Sequence, residues 1–141
     1  MITCKNCHEQ FSEGGAIGTK NRNHCPKCLW SLHLDSLAPG DRMSLCKSLM
    51  EPIGLTEKDE GCDKYGRERT GELMIIHRCQ KCAKISINRI AGDDNPDSII
   101  YLASKQDFAR AKFPDSRIKI LGANDLNKIE IQLYGKPQFR D

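Results

Sequence analysis

Three cysteine pairs in this 141-residue chain share one spacing: Cys4-x-x-Cys7, Cys25-Pro26-Lys27-Cys28 and Cys79-Gln80-Lys81-Cys82. Two intervening residues let both sulfurs of a pair turn toward one point, which is what a tetrahedral metal ion asks of thiolate ligands. Seventeen residues lie between Cys7 and Cys25. That is the spacing of two knuckles closing on one zinc ion, so Cys4, Cys7, Cys25 and Cys28 form a first candidate site. Pro26 suits the turn, because its ring holds φ near about −65° where the backbone wraps the sulfurs.

The third pair, Cys79 and Cys82, needs two further ligands. The chain offers Cys46, Cys62 and four histidines. Cys46 also follows its preceding knuckle by a 17-residue gap and is the expected third ligand. For the fourth, His33 leaves the second knuckle on the face away from Leu32 and Leu34, Cys62 would complete a four-cysteine set, and His77 lies two residues before Cys79. His33 is the first choice, with Cys62 and His77 open. The expectation is two structural Zn²⁺ ions held by Cys4, Cys7, Cys25 and Cys28, and by His33, Cys46, Cys79 and Cys82.

Eight cysteines could instead form four disulfides. Met1-Ile2-Thr3-Cys4-Lys5-Asn6-Cys7 has no apolar signal region, and no run approaches the roughly 18 apolar residues of a membrane span. A reducing, cytoplasmic setting is therefore expected, in which paired cysteines bind metal more often than they oxidise. An apolar fraction of 38% and an aromatic fraction of 6% leave a thin core that a metal staple would support.

A net charge of +3 is too mild to identify a polyanion partner by itself. The basic residues beside the knuckles are more suggestive. Lys5, Arg22, Lys27, Arg78 and Lys81 could meet phosphates, and Trp30 could stack on a base, as in modules that bind structured RNA or the ribosome. Two other classes compete. In a His-metal-finger nuclease His33 would be the general base, with Asp35 or Asn88 holding a divalent ion. That role excludes zinc ligation by His33, so a non-enzyme is favoured. In a non-catalytic adaptor, residues 96–141 would offer a protein-binding surface around Ile99, Ile100, Tyr101 and Phe108. Neither a phosphate-binding loop nor a dinucleotide-binding glycine pattern occurs, so no nucleotide cofactor is expected.

The elements that must position these residues read as follows. Phe11–Asn23, rich in glycine, suggests a hairpin with a loose tip. Ser31–Asp35 alternates and suggests a strand. Arg42–Leu49 suggests one or two helical turns carrying Cys46, and the charged stretch 51–70 a loop. Leu73–Ile76, the third knuckle and Ile85–Ile90 read as strand, knuckle, strand. Ala91–Asp97 is the expected boundary between a domain over 1–95 and an extension over 96–141. In the extension, Ser98 would cap a helix over Ile99–Ala111, ended by Pro114. Ile118–Ile120 and Ile129–Leu133 would form a β-hairpin about Gly122–Asn127. The expected fold is a small zinc-stabilised, β-rich, zinc-ribbon-like domain with a C-terminal α/β extension.

The pentapeptide Arg22-Asn23-His24-Cys25-Pro26 resembles the signature of the RNHCP-domain family of small bacterial proteins. The likeness continues through Ser31-Leu32-His33-Leu34-Asp35, Gly40-Asp41-Arg42, Cys46, Leu49-Met50, Pro52, Ile76-His77-Arg78-Cys79-Gln80-Lys81-Cys82, Asn88-Arg89-Ile90-Ala91 and Asp93-Asp94, so it covers about residues 2–95. The resemblance implies a zinc-binding domain and speaks to metal and fold rather than to an activity. The family pattern has no counterpart of Cys62, which turns the fourth-ligand question toward His33 or His77. Ser48 and Ala83 stand where the pattern tends to have glycine, so the turns after Cys46 and Cys82 must accommodate a Cβ.

Overall fold

Branched aliphatic residues on alternating positions build the central sheet. A computed structural model describes residues 2–11, 24–33, 45–58, 64–66, 71–91, 94–115 and 117–134. The hairpin tip with Arg22, the Pro39-Gly40-Asp41 turn, Cys62 and the tail from Gly135 lie outside those residues.

Strands β1 (Ile2–Thr3) and β2 (Gln10–Phe11) pair antiparallel around the first knuckle. Strands β3 (Ser31–Leu32), β4 (Leu49–Glu57), β5 (Leu73–Cys79) and β6 (Ile85–Arg89) form an antiparallel sheet in that order. The expected strand–knuckle–strand unit is thus β5, the third knuckle and β6.

Strand β4 corrects two expectations. Residues 51–57 are strand rather than loop, and 45–48 run irregularly into β4 rather than forming helical turns. Pro52 and Gly54 argue against a central strand, but here they flank a bulge. The register steps from Pro52 opposite His77 to Gly54 opposite Ile76, leaving Ile53 as the extra residue. A bulge is one place where proline is admitted to a sheet.

Three helices follow: α1 (Pro96–Ala103), α2 (Gln106–Lys112) and α3 (Leu126–Tyr134), the last preceded by a 3-10 turn over Ala123–Asp125. The single helix expected over 99–111 is two. Asn95, not Ser98, caps the first by accepting from the Asp97 N–H, and Pro96 sits in the first turn, where a missing N–H costs nothing. The Ser104 hydroxyl donates to the Tyr101 carbonyl at 2.6 Å, competing for a helical acceptor at the break.

The expected C-terminal β-hairpin is also corrected. Ile129, Ile131 and Leu133 alternate like a strand, yet Leu126, Ile129 and Leu133 fall on one helical face. That face packs on the core, and Ile131 is left 48% exposed. Among the described residues of this region only Leu121 joins the sheet, through an isolated bridge to Leu55.

Successive residues of β5 face opposite ways. Leu73 and Ile75 join Leu29, Leu55, Ile99, Leu102, Ala103, Leu121 and Ile129 in one cluster. Ile76 joins Ile53, Ala109 and Ile120 in another. So α1 and α3 pack on one face of the sheet and α2 on the other. Gly54 permits the second contact, since a Cβ there would lie 2.8 Å from the Ala109 Cβ. The chain is therefore β-rich with two cysteine-rich clusters and C-terminal helices.

Candidate metal centres

Each knuckle is built by the same backbone hydrogen bonds. The N–H of the residue after the second cysteine returns to the first cysteine's carbonyl: His8 to Cys4 at 2.9 Å, Leu29 to Cys25 at 2.8 Å and Ala83 to Cys79 at 3.0 Å. The first cysteine's own N–H donates one residue further on, to Glu9, Trp30 and Lys84. This geometry puts His8, Leu29 and Ala83 in the left-handed region, with φ of 67°, 67° and 65°. Glycine is the usual residue for that region, and none of the three knuckles has one there. Amides inside the loops also point at sulfur: Asn6 and Cys7 N–H to Cys4 Sγ and Lys27 N–H to Cys25 Sγ, each at 3.4 Å.

The ligand atoms of Cys4, Cys7, Cys25 and Cys28 all lie within 4.8 Å of one another. The Cys4–Cys28 and Cys7–Cys25 sulfurs are 3.6 and 3.5 Å apart. Tetrahedral zinc with bonds of about 2.3 Å sets its sulfurs about 3.8 Å apart, whereas a disulfide needs about 2.05 Å. The cluster has metal-site dimensions, and these cysteines are free thiols.

A second set, His33, Cys46, Cys79 and Cys82, meets the same criterion. Cys46 and Cys79 sulfurs are 3.6 Å apart, and Cys82 Sγ lies 3.3 Å from His33 Nδ1. The sheet brings these residues together. The ladder between β3 and β4 continues past the strand end, with His33 N–H donating to the Ser48 carbonyl and Lys47 N–H to the His33 carbonyl. Cys79 ends β5 beside β4, and the Gln80 N–H reaches the Leu49 carbonyl. Lys47, after Cys46, also has positive φ, at 51°.

The electrostatics suit a bound cation. Burial pushes the Cys28 thiol up to about 12 and raises Cys25 and Cys79, despite N–H groups that favour the thiolates. For Cys4 the burial is outweighed by the Cys7 and Asn6 amides, and its pKa is lowered. Cys46 is drawn down to about 6, chiefly by the Ser48 N–H and hydroxyl. A dication supplies the charge that buried thiolates lack, and a coordinating thiol is deprotonated outright.

His77, one of the open choices for fourth ligand, belongs to neither cluster. It is fully buried, with Nε2 2.7 Å from the Leu29 carbonyl and Nδ1 2.8 Å from Asn88 Nδ2. This fixes the tautomer: Nε2–H donates to the carbonyl and Nδ1 accepts from the amide. His24 is likewise not in either set. Its Nε2 lies 2.7 Å from Asp94 Oδ2, which also accepts the Ala91 N–H. Together with Asn95 N–H to the Pro26 carbonyl and Ser98 Oγ to the Lys27 carbonyl, this pair binds the second knuckle to the start of α1. The spacing of His24 and Asp94, 70 residues apart, carries no sequence signal of this role.

Of the residues expected to meet nucleic acid, Lys5, Lys27 and Lys81 are exposed at knuckle tips, and Lys27 lies 3.9 Å from Glu9. Arg78 is half-buried on β5 and Trp30 is half-buried. Trp30 lines a groove with Glu51, Asp97, Tyr101 and Lys105.

A family model described as RNHCP domain matches residues 1–100. No curated protein and no solved structure matches the chain.

Proposed function

The chain belongs to the RNHCP-domain family, and we propose that it is a zinc-scaffolded binding module of zinc-ribbon type, working by contact rather than by catalysis. One observation carries the reading: each cluster offers four protein ligand atoms. Catalytic zinc keeps a coordination position open for water or substrate, while structural zinc is closed by four protein ligands. The donor sets, four sulfurs in one cluster and three sulfurs with one imidazole in the other, suit zinc. His33 as a metal ligand has no lone pair left for a general base, which sets the nuclease reading aside.

The partner we propose for the knuckle tips is structured RNA, including the ribosome. Exposed Lys5, Lys27 and Lys81 and half-buried Arg78 supply the charge. The test pairs metal analysis with sedimentation of the zinc-loaded chain in a lysate at low and moderate salt. Two zinc ions per chain and salt-sensitive migration with a ribosomal subunit are expected, because lysine–phosphate contacts weaken as salt rises. Fewer than two ions would overturn the scaffold. Two ions with no migration at either salt would overturn the RNA partner alone.

A further inference from the structure

Between the second knuckle and the first turns of α1 runs an open groove of about 330 Å³. We propose that this groove is a receptor for an arginine side chain presented by a partner polypeptide. The volume falls at the small end of ligand pockets, right for one long side chain rather than a cofactor.

Two aromatic rings line the groove. Trp30 is half-buried and Tyr101 is 65% exposed, and among the described residues no ring contact joins them. Both contribute ring surface to the groove wall. A guanidinium is planar, weakly hydrated and attracted to aromatic faces, so it stacks where an ammonium does not. Buried Pro52 and Leu102 give an apolar lining that can cover the guest's methylene stem.

The groove's charge selects for a cation. Glu51 and Asp97 both line it. Glu51 stands opposite Arg78 in the β4–β5 register, but among the described residues no ion pair joins them. Asp97 sets a full charge against the half-charge of the α1 N-terminus. The groove's own cation is turned elsewhere, with Lys105 Nζ 4.7 Å from the centre of the Phe108 ring. A nucleotide would bring phosphate toward two carboxylates, so the groove disfavours nucleic acid even if the knuckle tips contact it.

Trp30 is the only tryptophan in the chain, so its fluorescence reports on its own surroundings. Besides this groove it borders a cleft of about 10 Å³ beside Phe11 and Leu49, too small for a peptide guest. The zinc-loaded full chain would be titrated into the millimolar range with acetyl-Gly-Arg-Gly-amide, its lysine and glutamine analogues, and adenosine monophosphate. A saturable change with the arginine peptide is expected, weaker with lysine and absent with glutamine. Tyr101→Ala, and separately Glu51→Gln with Asp97→Asn, should each weaken binding by about tenfold or more. Two metal ions per chain in these variants would show that the fold is retained. An equal response to glutamine, tighter binding of the nucleotide, unchanged affinity in variants that keep both metals, or no saturable response would each overturn the proposal.

Discussion

At His33 the neighbouring atoms are those of a candidate metal cluster. Nδ1 stands 3.3 Å from Cys82 Sγ, in a set with Cys46 and Cys79. We predict that His33→Ala lowers the metal content from two ions to one and leaves the first site filled, whereas His33→Cys keeps both. Two ions retained by the alanine variant in mass-spectrometric metal analysis would remove His33 from the ligand set. The cysteine pairs were legible because each is a local arrangement of four residues. Cys46 and His33 were harder, since only the β3–β4 ladder carries them to Cys79 and Cys82. His77 supports a second prediction. Burial, with a contribution from nearby His24, lowers its pKa from 6.5 to about 3. Above about 6.5 it is neutral in both folded and unfolded chains. As pH falls toward about 3, only the unfolded chain takes up the proton, so this residue removes stability at up to about 1.4 kcal/mol per pH unit. Because acid also competes for thiolates, the direct check is ring ¹⁵N shifts: His77 should remain the neutral Nε2–H tautomer at pH 5, and an imidazolium signal there would contradict its buried pairing.

Among the elements, the knuckles and β4 show how local rules bend under packing. Ala83 is exposed at φ 65°, a region that costs a residue with a Cβ about 1–2 kcal/mol. Ala83→Gly should therefore raise stability by about 0.5–1 kcal/mol, after the extra freedom it gives the unfolded chain. Leu29 has the same φ of 67° but is 1% exposed and belongs to the larger core cluster. Leu29→Gly would relieve the same strain and lose more, a net destabilisation of about 2–4 kcal/mol. Thermal melts of the two zinc-loaded variants should move in opposite directions. Gly54→Ala forces a Cβ to within 2.8 Å of Ala109 and should cost about 1–3 kcal/mol, read from the same melts. Strand β4 escaped the sequence reading because Pro52 and Gly54 look like breakers, while the bulge that accommodates them depends on the β5 partner. Helix α3 escaped because three apolar residues at even spacing mimic a strand. The core contacts of Leu126, Ile129 and Leu133 decide for the helix.

For the molecule as a whole, the sequence suggests a metal-stapled unit over 1–95 with an addition behind it. Composition changes at Ala91–Asp97, and α1 begins at Pro96 within that stretch. What the break does not reveal is how much core crosses it. Leu29, Leu55, Leu73 and Ile75 are each at most 3% exposed, and they pack with Ile99, Leu102, Ala103 and Ile129 from the helices. Covering an aliphatic side chain is worth about 1.5–3 kcal/mol, so uncovering even part of four such residues removes several kcal/mol. Net stabilities of small domains are only about 5–15 kcal/mol. The His24–Asp94 pair and the Asn95 and Ser98 bonds to the second knuckle further couple the first cysteine cluster to α1. A chain ended after residue 95 should therefore lose its fixed packing even with zinc present, giving a spectrum with little amide dispersion. The full chain treated with a chelator should lose both knuckle clusters by the same measure, because metal binding there is folding free energy. A well-dispersed spectrum from the zinc-loaded 1–95 fragment would mean that the metal centres alone hold the sheet, and that the helices are an addition to a finished domain.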